Sequence, residues 1–272
     1  MRLRHVLVVA AGLLIIGSGR SVAQTMPSSQ PNLLEIFIEE IKQGHDADHA
    51  ITEAGWPAAF EKAKFPYTYL ALASLTGRSQ VWYATSYDSH AALGDSYKRT
   101  SENKELASEL ARLSRMDAAH IDGVRIVHAR ARPDLSHGTF PDIATQRFWE
   151  ISIFSLRPGY DDEFGEAAKA YGSSASRNAP EANFRVYEVI AGLPGSTYLI
   201  FGSVAEFGQL DAVMSSGDAT MKGLNAEEQA AMEKFIPGLI KSETNRFRLD
   251  PTMSYVPADI RARDPKFWTA TP

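Results

Sequence analysis

The densest run of potential ligands in this chain is His45-Asp46-Ala47-Asp48-His49. Two histidines four residues apart share one face of a helix, and the flanking carboxylates are of a type that completes a metal shell. His45 and His49 are therefore the candidate metal ligands, with His90 a third imidazole. The competing reading is a helix start, with Asp46 as its cap and His49 half buried. A comparison within the chain favours it: residues 160–164 read Tyr160-Asp161-Asp162-Glu163-Phe164, which puts Asp161 under Asp46 and apolar Phe164 under His49. On this reading no metal is assigned.

Carboxylates in strand-like runs are the second source of chemistry. Glu35, Glu39 and Glu150 alternate with Ile36, Ile38, Ile151 and Ile153. If the isoleucines pack under helices, the glutamates point the other way, into the interior between two sheets. A carboxylate there must be hydrogen-bonded, solvated or used as a base with a raised pKa. Glu35 and Glu150, with His128 from a later strand, are the catalytic candidates. Pairing with Arg125, Arg246 or Arg248 is the structural alternative. Glu39 and Glu188, with Tyr69, Trp82, Tyr83 and Tyr198, make an acidic-aromatic lining for a planar ligand. A haem-binding alternative would need an axial histidine, for which His49, His90 and His128 are the candidates. No cofactor is assigned.

The elements that must position these residues occur twice. Residues 34–49 (LEIFIEEIKQGHDADH) align with 149–164 (WEISIFSLRPGYDDEF), and 80–93 align with 197–210. Each copy reads as a strand, a helix, a hairpin, further helix and a closing strand. The fold expected is α+β: two tandem ferredoxin-like βαββαβ units packed sheet-to-sheet as an intramolecular α/β barrel. The units span 33–132 and 147–250, joined by a linker at 133–146. A tail follows at 251–272.

Arg2 and Arg4, the apolar run Val6–Ile16 and Ser21-Val22-Ala23 read as a signal peptide over 1–23, cleaved near Ala23, with a flexible leader at 24–32. The expected product is secreted or periplasmic, with no membrane span. The chain's 28 basic side chains, less the three arginines ahead of Ala23, face 33 acidic ones, a net charge of −8 for 249 residues. Nucleic acid is an unsuitable partner for such a surface. With no cysteine, thiol nucleophiles, iron–sulfur clusters and zinc–thiolate sites are excluded. Neither a phosphate-binding glycine loop nor a GxSxG elbow is present.

The strand followed by Arg157-Pro158-Gly159 and, at the next helix start, Glu163-Phe164 resembles the dimeric α/β-barrel superfamily. That group includes antibiotic-biosynthesis monooxygenase-like, NIPSNAP-like and stress-responsive barrel proteins. The resemblance implies the barrel fold and a range of activities, among them cofactor-independent oxygenases and haem-degrading enzymes. The function expected first is an exported small-molecule-binding protein with an acidic-aromatic interdomain pocket for an apolar or aromatic ligand. One alternative is a cofactor-independent oxygenase or isomerase using an interior Glu or His as base. Another is a non-catalytic protein-interaction module. Because duplication supplies internally what a dimer supplies by association, a monomer is expected over a homodimer.

Overall fold

The computed structural model describes residues 26–269. The signal peptide and its cleavage point lie outside the described residues. In chain order the elements are β1 (Leu33–Ile41), α1 (Asp46–Glu53), α2 (Gly55–Lys62), β2 (Tyr69–Ser74), β3 (Gln80–Tyr87), α3 (His90–Glu102), α4 (Lys104–Asp117) and β4 (Ile121–Ala131). Then follow β5 (Phe148–Leu156), α5 (Asp161–Asn178), β6 (Arg185–Ala191), β7 (Thr197–Val204), α6 (Leu210–Lys222), α7 (Ala226–Phe235), β8 (Leu239–Tyr255), α8 (Ala258–Arg263) and α9 (Pro265–Trp268).

The eight strands close into one antiparallel barrel in the order β1-β3-β2-β8-β5-β7-β6-β4. The first half contributes β4-β1-β3-β2 and the second β8-β5-β7-β6. Two hydrogen-bonded seams join them, β2 to β8 and β4 to β6. The two sheets therefore do not stack as separate layers; their edges pair, which leaves no strand edge open around the ring.

Closure decides which face is driest. The central cluster draws Leu34, Ile36 and Ile38 from β1, Leu72 from β2, Trp82 from β3, Val127 from β4, Trp149 and Ile151 from β5, Leu199 from β7 and Phe247 from β8. Ile36 and Ile38 thus fill the barrel, and Glu35, Phe37 and Glu39 lie outside it beneath the helices. This reverses the facing expected from the alternation. The physical reason is that a closed ring of eight strands admits little water, so the more uniformly apolar side of each strand turns inward and the mixed side meets the helices.

Helix starts also differ from expectation. His45, not Asp46, occupies the position before α1 and makes no capping bond. Asp46 instead accepts from the Ser79 hydroxyl in the β2–β3 turn at 2.5 Å. Asp161 does the same in the second half, accepting from Ser196 at 2.8 Å and from Tyr198 at 2.9 Å. Each aspartate ties a helix start to the hairpin beside it. True caps occur at Ser89 before α3 and Asn103 before α4, each accepting a backbone N–H of the first turn.

The region read as a tail is structural. β8 runs 17 residues, longer at both ends than the strand expected over 245–250, and pairs with β5 along its first part and β2 along its last. After it, Val256, Ile260 and Trp268 join the barrel core. Fully burying side chains of this size stabilises by about 1.5–3 kcal/mol each.

Two glycines with positive φ separate a turn from a seam. Gly44 (φ +83°) has nothing within 4 Å of where a Cβ would stand. At Gly192 (φ +92°), just past the β4–β6 pairing, a Cβ would lie 1.9 Å from the Ile126 carbonyl oxygen. Gly44→Ala is expected to cost about 1 kcal/mol. Gly192→Ala, which forces the seam apart, should cost about 3 kcal/mol or more. Urea unfolding of the two variants measures the difference.

Candidate functional site

The outer face of the first half holds two polar constellations, both anchored on β1. Glu35 and Glu39 stand four residues apart on the strand, so both project toward the helices.

At Glu35 the structure brings together two of the residues singled out for catalysis. In the β1–β4 register Glu35 lies opposite His128, and His128 Nε2 is 3.1 Å from Glu35 Oε2. The Tyr97 hydroxyl, from α3, donates to the same carboxylate oxygen and lies 3.4 Å from His128 Nε2. An ionised carboxylate only accepts, so it holds the imidazole proton on Nε2 and leaves the lone pair on Nδ1. Glu35 is buried, His128 half-buried and Tyr97 exposed, so the group runs from the core to solvent. Burial and the hydrogen bond to Glu35 push the Tyr97 phenol up, and it stays protonated. Val124 and Ile126, on the same face of β4 as His128, are exposed apolar neighbours.

The second half places different chemistry at the matching register. Glu150 lies opposite Arg246 across β5 and β8, with Arg246 Nε donating to Glu150 Oε2 at 3.0 Å. The helical neighbour there is Met214 of α6, whose sulfur is 3.7 Å from Arg246 Nη2. Glu150 is thus paired with Arg246, and the expected grouping of Glu35 with Glu150 in one interior does not form.

The second constellation lies farther along β1. His49 is 1 % exposed, and its Nδ1 donates to Asp117 Oδ1 at 2.7 Å. That bond sends the Nε2 lone pair toward the Tyr83 hydroxyl at 3.2 Å and Glu39 Oε2 at 3.7 Å. Glu53 follows His49 by one helical turn on α1 and is 4 % exposed. Asp117 ends α4 on the apolar stripe of Leu106, Leu110 and Leu113. Glu39 Oε2, Glu53 Oε1 and Trp56 Nε1 are buried without a hydrogen-bond partner.

Three carboxylates so enclosed cannot all carry charge cheaply. Burial, reinforced by the Asp117 charge and opposed by His49, raises Glu39 to about 7. Burial and the charges of Glu39 and Asp117 raise Glu53 to about 9, against an opposing pull from Tyr83 and Trp56. Burial, with the charges of Glu53 and Glu39, pushes the Tyr69 and Tyr83 phenols well up.

The remaining residues picked from sequence are dispersed. Trp82 faces the barrel core, where it meets Phe247 at 5.2 Å. Tyr69 and Tyr83 belong to the layer under α1, and Tyr198 stacks on Phe164 at 4.0 Å in the second half. Glu188 is held by Arg130 and Arg132 at 2.8 and 3.2 Å. The six intended lining residues therefore do not share one cavity. A cavity of about 90 Å³ does open at one barrel mouth, bounded by Tyr69, Leu70, Phe140, Trp149, Arg185 and Tyr187, so Tyr69 is the one expected lining residue that reaches it. Ligand pockets usually measure about 300–1,000 Å³. The Arg185 guanidinium there is spent on the backbone carbonyls of Phe184, Gly138 and His137.

The three histidines considered for haem lie apart from one another. His49 is enclosed with Nδ1 on Asp117, His128 keeps Nδ1 free with Nε2 on Glu35, and His90 is an exposed residue at the first turn of α3. His45 and His120 contact each other through their Nδ1 atoms at 3.1 Å, near the protein surface.

Glu53, Asp117 and Tyr97 were missed by the sequence reading. Glu53 lies four residues after His49, and Asp117 four after Leu113, so both carry the signature of an acid on a buried helical face. Tyr97 carries no comparable signal.

The class this defines is a closed α/β barrel whose polar groups lie between its wall and its helices. No protein-family model matches the chain, and no curated protein is similar to it in sequence. Solved structures do share the fold. A protein assigned as a monooxygenase from Fusobacterium nucleatum subsp. nucleatum superposes with a TM-score of 0.53 at 10 % identity, over 80 % of this chain and 92 % of its own. An anthrone oxidase-like protein superposes at 0.52 and 12 % identity, over 82 % and 92 % of the two chains. Among the described residues no helix is long and apolar enough to cross a membrane.

The raised carboxyls give stability a pH dependence of definite sign. A glutamic acid that keeps its proton when folded and loses it when unfolded contributes stability that is full below about pH 4.5 and lost as pH rises. Glu39 and Glu53 place that loss between there and about 7 and 9. In chelator-treated buffer the urea midpoint should fall from pH 5.5 to 8.5. Glu53→Gln, a neutral isostere, should flatten the decline.

Proposed function

We propose that the protein is an enzyme that removes a proton from a small activated organic molecule, the opening step of oxygenase or isomerase chemistry. The observation that carries this reading is the Glu35–His128–Tyr97 group, set at the edge of solvent beside exposed Val124 and Ile126. The matching register of the second half holds only the Glu150–Arg246 ion pair. An arginine cannot exchange its proton in the working range, whereas an imidazole can.

The proposed roles follow from the bonds. Glu35 fixes the His128 tautomer, and Nδ1 takes the substrate proton. The imidazolium so formed is stabilised by the carboxylate already bonded to Nε2, an arrangement that needs no reorganisation during the step. Tyr97 holds the Glu35 carboxylate from the solvent side.

The wider frame of the proposal is a tandem pair of ferredoxin-like βαββαβ units, related to antibiotic-biosynthesis monooxygenase-like or NIPSNAP-like barrels. It acts as a monomer, exported after cleavage near Ala23. The strand order repeated in each half supports the first statement, and closure of the barrel within one chain supports the second. Oxidation as the outcome rests on the shared fold with the monooxygenase and the anthrone oxidase-like protein.

The test is oxygen uptake and product mass with the full chain on anthrones, hydroquinones and enolisable 1,3-diketones. Turnover of at least one class is expected. Glu35→Gln and His128→Ala should then lower kcat by about 10²-fold or more, in the range general-base catalysis supplies. Glu150→Gln should stay within about twofold, because it lies in the other half. Undiminished kcat in His128→Ala would remove the proposed base.

A further inference from the structure

The first half buries ionisable groups where the second half buries hydrocarbon. Four residues after Glu35 on β1 stands Glu39; four after Glu150 on β5 stands Phe154. His49 and Glu53 on α1 correspond to Phe164 and Ala168 on α5, and Asp117, the last residue of α4, corresponds to Phe235, the last of α7. In the second half those positions form one apolar cluster. The rings of Phe154, Phe164 and Phe235 lie 5.6–6.2 Å apart, and Ala168 packs against them. The barrel therefore does not require polar residues at this place between strand and helix. An apolar filling is the cheaper solution, since charges removed from water destabilise unless fully compensated.

The compensation present within the protein is incomplete. Among the described residues, every salt bridge made by Glu39 and Asp117 ends on His49, and Glu53 makes none. Neither lysine nor arginine offsets the three acids among the described residues. Glu53 Oε1, on a side chain almost wholly enclosed, has no hydrogen-bond partner, and neither has Glu39 Oε2. Yet one ligand atom from each of Glu39, His49, Glu53 and Asp117 lies within 4.8 Å of all the others, a separation that one cation can span.

We propose that Glu39, His49 and Glu53 bind a single divalent first-row metal ion of the Mn²⁺, Fe²⁺ or Zn²⁺ class, with Asp117 holding His49 from behind through Nδ1. The site lies between the outer wall of the barrel at β1 and helices α1 and α4. Asp117, by accepting from Nδ1, fixes the tautomer in which Nε2 presents its lone pair toward Glu39, the pattern by which a carboxylate orients a metal-binding histidine. Carboxylates with one imidazole suit this class of ion better than softer metals, which prefer the thiolates the chain lacks. A divalent charge offsets most of that carried by the three acids and supplies partners for the two orphaned oxygens. A second group, His45, Asp48 and His120, is also close enough for an ion. It is surface-exposed in part, contains no buried orphaned oxygen, and serves as the control. The metal site is separate from Glu35, His128 and Tyr97 and does not rest on the catalytic reading.

The experiment uses the full chain stripped with EDTA, exchanged into chelator-free buffer and titrated calorimetrically with Zn²⁺ and Mn²⁺, with Fe²⁺ added under anaerobic conditions. One equivalent of at least one of these ions should bind, and thermal unfolding should shift upward on loading. Glu53→Gln should weaken binding at least about tenfold, with the folded circular-dichroism spectrum retained. His120→Ala should bind as the parent does. A fourfold variant carrying the second-half residues (Glu39→Phe, His49→Phe, Glu53→Ala, Asp117→Phe) should bind no ion and, if folded, melt independently of metal. Failure of the stripped parent to bind any of the three ions overturns the proposal. So does unchanged affinity in Glu53→Gln, or binding that is lost in His120→Ala alone.

Discussion

The pairing of two sheets along both edges is the constraint on which the rest of this protein depends. Once β2 meets β8 and β4 meets β6, the barrel has a sealed interior that must be filled with hydrocarbon. Polar side chains on the same strands are then confined to the outer layer, where helices cover some of them and leave others at the solvent edge. Both constellations of the first half are products of that sorting. Glu35 and Glu39 share a strand and a face, yet one opens outward through His128 and Tyr97 while the other is shut in beneath α1 and α4.

The second half serves as an internal reference for the first. Its backbone offers the same strand order and the same register of β5 against β8, so differences at matched positions are differences of chemistry rather than of frame. His128 against Arg246 exchanges a titratable group for a fixed charge. Glu39, His49, Glu53 and Asp117 against Phe154, Phe164, Ala168 and Phe235 exchange an ionisable cluster for an aromatic core. The ionisable clusters are thereby concentrated on one side of a nearly symmetric object.

Much of the fold was legible in the sequence because its signals are local. Turn glycines, alternation in the strands and leucine spacing in α4 locate most elements, and repetition at a near-constant offset orders them. The facing of β1 was not legible. Alternation separates Ile36 and Ile38 from Glu35 and Glu39, but which side is drier depends on the closing of the ring by β8, a pairing with the far end of the chain. The candidate site divides the same way. Glu35 and His128 were singled out separately; that they touch follows from register. His49 was set aside because its counterpart is Phe164, and that same contrast, once Glu53 and Asp117 are seen beside it, becomes the argument for a special role.

The position of β8 has a consequence for how the molecule comes into being. This one long strand completes the second half and supplies the missing neighbour of β2, and the residues just beyond it seat Ile260 and Trp268 in the core. Until it is present, the β2 edge of the first half has no partner and its apolar inner face is uncovered, features that make partly made chains prone to wrong association. Vectorial synthesis delivers β8 last. The closing of the ring therefore waits on the last strand made, whichever half it is counted with.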